Sequence, residues 1–352
     1  MSIDKKFELL RTAAAIAVAL FIGFVVTCIV SKSPFEAFSY FLRGPFTTTR
    51  RFAAFLEAAI PLMFTGLSLS LVFAAGQFNL GADGQFFIGA VAATAAGIYL
   101  NLPPVIHTLV CLLVGMAAGA IGGFIPGLLK AKWNASELVA SLMLNYVFLK
   151  LGMYLITYHM RDQSVGALVS LPLKKTCWLP QLVPNTRIHA GVFVALAATL
   201  FCYYYLYRTS RGYEIRMTGQ NIDFARYSGI PVLSVILSVQ VLAGAVAGLG
   251  GAVEMLGIYR RFQWLASPGY GFDGVIVSIL AKNKPTLVPV TALFLAYLRV
   301  GADVMAMYSD VSAEMVAIIQ AVIILLVTAE AFLSSYRHRM LLKEVRQSAI
   351  TS

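Results

Sequence analysis

Apolar stretches long enough to cross a lipid bilayer recur along the whole chain, and they constrain its fold more than any other feature. Most approach the length of about 20 residues that a membrane-spanning helix needs, and each is bounded by charged residues, proline or glycine. Of the 352 residues, 59% are hydrophobic and only 12% are charged, whereas soluble domains carry about 25% charged residues. The composition therefore excludes a soluble globular protein and predicts one transmembrane domain over residues 1–352.

Nine of these stretches predict clear membrane spans. They lie near residues 9–30, 52–75, 85–100, 104–129, 137–158, 190–207, 231–258, 285–300 and 312–333. The stretch 272–281 is also apolar, but it has about half the length that a bilayer requires. It is either a broken helix that lines a pathway or a short helix shielded by its neighbours. We therefore expect an all-α, polytopic membrane protein with about ten transmembrane helices, one of them short or broken.

The charge distribution bears on orientation and on partners. The net charge of +11 comes from 27 Lys and Arg against 16 Asp and Glu, and both tails are basic. Because basic residues concentrate in cytoplasmic loops, we expect both termini in the cytoplasm, with Lys174 and Lys175 outside. The excess on the inner side is small, so the inverted orientation stays open. Basic residues lie scattered at span ends, which argues against a nucleic-acid partner.

The sequence contains no pattern typical of catalysis or of metal binding. H-E-x-x-H and G-x-S-x-G motifs are absent, and so is the G-x-x-x-x-G-K-[ST] motif of a nucleotide-binding loop. The four cysteines are far apart, and the four histidines lie at span edges or in tails. We therefore expect no catalytic residue, metal or cofactor on this chain; if ATP drives it, another chain binds the ATP.

Polar residues that interrupt apolar stretches are the candidate functional residues. The densest group lies at 76–85, where carboxamides and a carboxylate alternate with glycines that permit sharp turns. Two more polar residues lie within predicted spans, where such side chains usually face a bundle interior or a cavity. The predicted pathway residues are Asn79, Asp83, Gln85, Asn145 and Glu254. The alternatives are a polar turn at the surface and hydrogen bonding between helices.

Residues 208–230 form the longest polar stretch on the predicted inner side. Asn221 is suited to cap a helix start, Asp223 would lie in its first turn and Arg226 near its end. Gly229 would stop the helix. The pattern predicts a short helix displayed between two spans.

Seven short stretches occur in an order that resembles a known family. They are PLMFTG at 61–66, FNLGADGQ at 78–85, GFIPGLLKAK at 123–132, LMLNY at 142–146, GQNIDFARYSGI at 219–230, GLGGA at 248–252 and GYGFDG at 269–274. Together they resemble the permease subunits of bacterial ABC importers of the ribose and branched-chain amino acid type, most closely the nucleoside or simple-sugar branch. Ala281, Gln220 and Ile222 depart from the family pattern.

The resemblance implies a permease subunit that carries a nucleoside or simple sugar across a bacterial inner membrane. It implies a second, homologous permease subunit, a cytoplasmic ATPase that holds ATP–Mg, and an extracytoplasmic binding protein that delivers substrate, all in contact with membrane lipid. It also implies that residues 208–230 are a coupling segment seated in the ATPase. The coupling residues would be Glu214, Gly219, Asn221, Asp223, Ala225, Arg226 and Gly229.

A secondary transporter or channel driven by an ion gradient is the competing prediction. Such a protein would use paired buried carboxylates and inverted repeats. The predicted spans hold isolated acids, Glu57, Glu254 and Glu330, and no obvious repeat. An intramembrane enzyme would require a nucleophile and a base, and none stands out. Amides, aromatics and small residues suit nucleosides and pentoses alike, so the sequence leaves the substrate open.

Overall fold

In the computed structural model, the backbone is described over residues 3–184 and 186–326, and side-chain surroundings from residue 17 onward. This part of the chain is all-α, with two isolated β-bridges and no strand. The helices are α1 (Ile3–Val30), α2 (Pro34–Arg43), α3 (Thr49–Ala74), α4 (Ala82–Tyr99), α5 (Ile106–Trp133), α6 (Glu137–Leu155), α7 (Gly191–Arg208), α8 (Ser210–Gln220), α9 (Ile222–Tyr227), α10 (Val232–Gly257), α11 (Tyr270–Leu280), α12 (Val288–Tyr308) and α13 (Ala313–Leu326). Glu330, the C-terminal tail and the end of the predicted span 312–333 lie outside the described residues.

The expected count of about ten transmembrane helices is wrong. Among the described residues, six helices are long and apolar enough to cross a membrane: α3, α5, α6 extended to Met160, α7, α10 and α12. The helices over Ala17–Val30, α11 and α13 are apolar but shorter.

Two of the four predicted spans that are not among these six helices are α4 and α11. With 11 residues, α11 is about 16 Å long, whereas the hydrocarbon core of a bilayer is about 30 Å thick. The 18 residues of α4 reach the minimum length, but Asp83 and Gln85 lie near its start. Both α4 and α11 are apolar, which predicts a membrane crossing for each of them. Their apolar stretches are nevertheless too short to span the hydrocarbon core.

The chain divides into two compact units. The first comprises Met1–Phe52 and Phe294–Ser352, and the second comprises Ala53–Leu293. In the first unit, α1 packs closely against α13. A Cβ atom at Gly23 would lie 2.8 Å from Cδ1 of Ile323, so the glycine leaves room for that side chain.

Close packing between α5 and α10 builds the core of the second unit. A Cβ atom at Gly115 would lie 2.6 Å from Cβ of Ala252, and one at Gly119 would lie 2.7 Å from Cα of Gly248. Small residues at this spacing let two membrane helices approach until their backbones touch. The α5 glycines that face α10 recur every fourth residue and are Gly115, Gly119, Gly123 and Gly127.

The α6–α7 loop, residues 161–190, covers one end of the helices of this unit. Lys174 Nζ donates to the backbone oxygen of Leu100 at 2.8 Å, just beyond α4. The backbone nitrogen of Leu179 donates to the oxygen of Leu256 at 3.0 Å, at the end of α10. Where the loop meets α10, a cavity of about 400 Å³ is lined by residues that include Trp178 and Tyr259. The loop therefore holds α4 and α10 together at this end.

Candidate functional site

The polar group at 76–85 forms an ordered turn between α3 and α4 and runs into the first turn of α4. Asn79 Oδ1 accepts a hydrogen bond from the Gly81 nitrogen at 2.5 Å, and its amide nitrogen donates to Gln240 of α10. Gln240 donates in turn to Gln77 Oε1 at 2.6 Å. A chain of buried carboxamides thus joins the turn to α10. In this chain the amide nitrogen of one residue donates a hydrogen bond to the amide oxygen of the next.

Asp83 is buried at the start of α4 and holds the segment that leads into α11. One of its carboxylate oxygens accepts from the Ser267 hydroxyl, and the other accepts from the Gly271 nitrogen at 3.0 Å. Both oxygens of Asp83 therefore have protein partners.

Asn145 of α6 and Gln85 of α4 also lie at the start of α4. Asn145 Oδ1 accepts from the Gly84 nitrogen at 2.9 Å, and its amide nitrogen donates to the Leu80 oxygen at 2.9 Å. Gln85 is buried against α5, where a Cβ atom at Gly122 would lie 3.1 Å from Gln85 Cγ. Hydrogen bonds to other segments of the chain thus occupy the side chains of Asn79, Asp83 and Asn145.

Glu254 lies apart from the other four predicted pathway residues. It is about 21 Å along α10 from Gln240, the partner of Asn79. The Glu254 side chain is 2% exposed, and its Oε2 has no hydrogen-bond partner among the described residues. Tyr270 forms a hydrogen bond with the Glu254 carboxyl group, and Glu57 of α3 interacts with that group electrostatically. A buried oxygen without a partner is costly, so Glu254 is suited to accept a hydrogen bond from a ligand.

Sequence reasoning missed an aromatic cluster beside Glu254. Trp264 is half-buried at its centre, with its ring centroid 5.4 Å from that of Tyr259, 5.5 Å from Phe262 and 6.0 Å from Phe86. Tyr270, which bonds to Glu254, lies 5.4 Å from Phe86. The available signal was the recurrence of aromatic residues at 259, 262 and 264, directly after α10.

The structure brings together one histidine and two cysteines that are far apart in the sequence. The ligand-type atoms of His107, Cys111 and Cys177 all lie within 4.8 Å of one another, and all three residues are buried. His107 and Cys111 lie about one turn apart near the start of α5, whereas Cys177 comes from the α6–α7 loop. The spacing of the cysteines in the sequence does not predict this cluster, because the long α6–α7 loop places Cys177 beside the start of α5.

His189 and Asp162 of the α6–α7 loop both have shifted pKa values. Burial lowers the pKa of His189 to about 4, so its ring is neutral at neutral pH. Hydrogen bonds from Ser164 lower the pKa of Asp162, and the Arg261 guanidinium, 2.7 Å away, acts in the same direction. Asp162 therefore stays charged and holds Arg261 at neutral pH.

The short helix expected within 208–230 is confirmed and corresponds to α9. Asn221 caps it as expected, because Asn221 Oδ1 accepts from the nitrogens of Asp223 and Phe224, both at 3.0 Å. Asp223 lies in the first turn of α9 and Arg226 in the last. Gly229 follows with a φ of +77°, a conformation that glycine adopts without strain.

Three of the seven predicted coupling residues contact their own chain. Ala225 is fully buried in a cluster with Val232 and Ile236 of α10. Gly219 packs on the turn after α3, where a Cβ atom at Gly76 would lie 3.1 Å from Gly219 Cα. Glu214 pairs with Arg211 at 2.9 Å. The other four are exposed: Asn221, Asp223, Arg226 and Gly229.

The exposed apolar side chains of α9 were also not predicted from the sequence. Ile222, Phe224 and Tyr227 are 41%, 52% and 93% exposed, and we call them the α9 apolar surface. Large apolar side chains grouped on a short surface helix are typical of a contact with another protein.

Six helices that are long and apolar enough to cross a membrane, together with buried polar residues, are features of a multi-pass membrane protein. The chain belongs to the family described as branched-chain amino acid transport system / permease component, which matches residues 51–328. It is the membrane permease of an ABC importer, and the resemblance seen in its motifs is confirmed.

Its relatives include transporter permeases with different printed substrates. The glucose ABC transporter permease protein TsgB13 of Haloferax volcanii is 33% identical over 91% of this chain and 87% of its own length. The guanosine ABC transporter permease protein NupP of Bacillus subtilis is 31% identical over 97% of each chain. The nucleoside ABC transporter permease protein NupB of Lactococcus lactis is 27% identical over 93% of this chain and 92% of its own.

Proposed function

We propose that this permease carries nucleosides. The observation that supports this substrate is the position of the aromatic cluster around Trp264 beside the unpartnered oxygen of Glu254. A flat nucleobase stacks on aromatic rings, which contributes about 1–3 kcal/mol for each base, and a ribose hydroxyl can donate to the free oxygen of Glu254. The relatives named for guanosine and for nucleosides agree with this choice.

A simple sugar is the second candidate. The relative named for glucose favours it, and sugar hydroxyls would also donate to Glu254. A sugar lacks the flat base that would use several rings of the cluster at once. In either case Glu254 would face the substrate, while Asn79, Asp83, Gln85 and Asn145 would position the start of α4 beside the path.

The proposed assembly has four kinds of component. A cytoplasmic ATPase would bind and hydrolyse ATP–Mg, so this chain would need neither a nucleotide site nor a cofactor. An extracytoplasmic binding protein would deliver the substrate, and a second, homologous permease subunit would complete the path. Membership of a permease family supports this arrangement, because a permease component acts on energy supplied by another subunit.

Uptake tests the substrate assignment in cells that lack this chain and are complemented with it. We expect uptake of labelled guanosine with the wild-type chain, and a loss of about fivefold or more with Glu254→Gln. The amide offers only one accepting oxygen, and a substrate hydroxyl left without a partner costs about 1–3 kcal/mol. Glu36→Gln, which changes an exposed acid of α2, is the matched control and keeps its uptake. Uptake of labelled glucose that excess guanosine leaves unchanged would instead establish the sugar.

We also propose that both termini and the α8–α9 segment are cytoplasmic, in a bacterial inner membrane, and that the α6–α7 loop is outside. The basic tails support the position of the termini. Only α7 separates the loop from α8, so one crossing puts them on opposite sides.

Cysteine labelling tests this orientation in a variant without the four native cysteines. Lys175→Cys, at an exposed loop position, should react with a membrane-impermeant maleimide on intact cells. Lys132→Cys, an exposed position at the end of α5, is the control and should react only after the cells are opened. The reverse pattern would mean that the chain is inverted.

A further inference from the structure

We propose that Cys111 and Cys177 form a disulfide bond that fastens the α6–α7 loop to α5. Both side chains are fully buried, and their sulfur atoms lie within 4.8 Å of each other. Two cysteines held this close need only a small shift of one short loop turn to reach bonding distance.

The local structure favours that shift on the loop side. Cys177 ends the short 3₁₀ turn Lys175–Cys177, and its thiol donates to the Lys174 oxygen at 3.0 Å. Gly97 of α4 leaves room beside it, because a Cβ atom there would lie 3.1 Å from Cys177 Sγ. Cys111 lies within the continuous helix α5, so we expect the turn rather than the helix to move.

The surroundings of His107 argue against a metal site in the same place. Its Nε2 lies 3.2 Å from the backbone oxygen of Ala96, and its Nδ1 lies 2.7 Å from the Thr176 hydroxyl. Because a carbonyl oxygen only accepts, Nε2 must carry the proton and Nδ1 must accept from Thr176. Both ring nitrogens already have protein partners, so a metal ion would have to break one of these bonds.

The oxidation balances with an external disulfide such as oxidised glutathione. The hydrogen bond from the Cys111 thiol lowers the pKa of Cys177, so Cys177 is the attacking thiolate. When the turn Lys175–Cys177 opens, this thiolate attacks one sulfur of the external disulfide and releases one glutathione thiolate. Cys111 then loses its proton and attacks the mixed disulfide, which releases the second. Two thiols are oxidised and one disulfide is reduced to two thiols.

The bond would stabilise the loop face of the second unit. It would join positions far apart in the sequence, and such crosslinks restrict the unfolded chain most. The loop that it fastens carries Trp178, which lines the cavity next to Tyr259. The inference rests on the proposed orientation, because disulfides persist on the outer, oxidising side of a membrane.

Thiol counting on the full-length chain tests the proposal. Membranes are dissolved in denaturant with N-ethylmaleimide, and labels are counted by mass spectrometry. Of the four cysteines, we expect Cys28 and Cys202 to be labelled without reductant and all four after reduction. In Cys111→Ser, Cys177 should be labelled without reductant. Reductant should lower the thermal midpoint of the wild type and leave that of the Cys111→Ser, Cys177→Ser double variant unchanged.

Other outcomes overturn the proposal. Four labels without reductant, in protein also incubated with oxidised glutathione, would show that the thiols do not pair. Zinc that copurifies with the chain and blocks labelling until a chelator is added would show a metal site instead. Neither result depends on which solute is transported. The Lys175→Cys labelling identifies an inverted chain as a separate cause of failure.

Discussion

Tyr227→Asp is expected to abolish solute uptake and to release the ATPase while the permease stays folded. Tyr227 is 93% exposed in the last turn of α9, so the substitution removes no contact within the chain. In a docked complex the aspartate would be buried without a partner, which is strongly unfavourable. Exposed tyrosines at interface centres contribute about 2 kcal/mol or more, so affinity should fall by about thirtyfold or more.

Pull-down of the ATPase with tagged permease measures the association, and uptake measures the function. Tyr227→Phe is the matched control, because it keeps the ring and loses only the hydroxyl, and we expect it to bind nearly as well as the wild type. The thermal midpoint of Tyr227→Asp in detergent should equal that of the wild type. Association of Tyr227→Asp at the wild-type level would show that the ATPase binds elsewhere.

Ala225, unlike Tyr227, is buried, so its substitution cannot test the contact with the ATPase. From the sequence, Ala225 lies in the middle of the predicted coupling helix. In the structure it is fully buried against Val232 and Ile236, so a large side chain there would disrupt the packing of α9 itself. Loss of ATPase binding in such a variant would follow from misfolding and would not identify the interface.

Local signals predict the helices and the cap of α9 well. The sequence predicts a span at 231–258, and α10 covers Val232–Gly257, because a long apolar stretch is sufficient to define a membrane helix. Asn221 is predictable as a cap because the bond that it makes, to nitrogens two and three residues later, is local. The number of crossings is not predictable in this way, since it depends on the apolar length of marginal elements such as α4 and α11.

Contacts between distant residues account for what the sequence could not predict. Glu254 was recognisable as a charge within an apolar stretch, but its neighbours Tyr270 and Glu57 come from other elements. Asp83 was recognisable as polar, yet only the fold reveals that Ser267 and Gly271 occupy both of its oxygens. A sequence pattern identifies a polar residue that needs partners; the tertiary structure determines whether the protein supplies them.

Gly119→Val is expected to cause a large loss of stability. A Cβ atom at Gly119 would lie 2.7 Å from the Gly248 Cα, and backbone cannot move aside as a side chain can. The two helices would have to separate along the whole line of small residues, so we expect a cost of about 3 kcal/mol or more. The thermal midpoint and the yield of folded protein in detergent should both fall.

Two other glycines supply the controls for this effect. A Cβ atom at Gly166 in the α6–α7 loop would have no described atom within 4 Å, so Gly166→Val should keep the wild-type midpoint. At Gly23 the added atom would meet the end of the Ile323 side chain, which can rotate, so Gly23→Ala should fall between the two. Equal midpoints for Gly119→Val and Gly166→Val would contradict backbone contact between α5 and α10. If the three midpoints instead follow the expected order, the loss of stability depends on whether the neighbouring atoms can move. Among the three glycines, only Gly119 faces main-chain atoms.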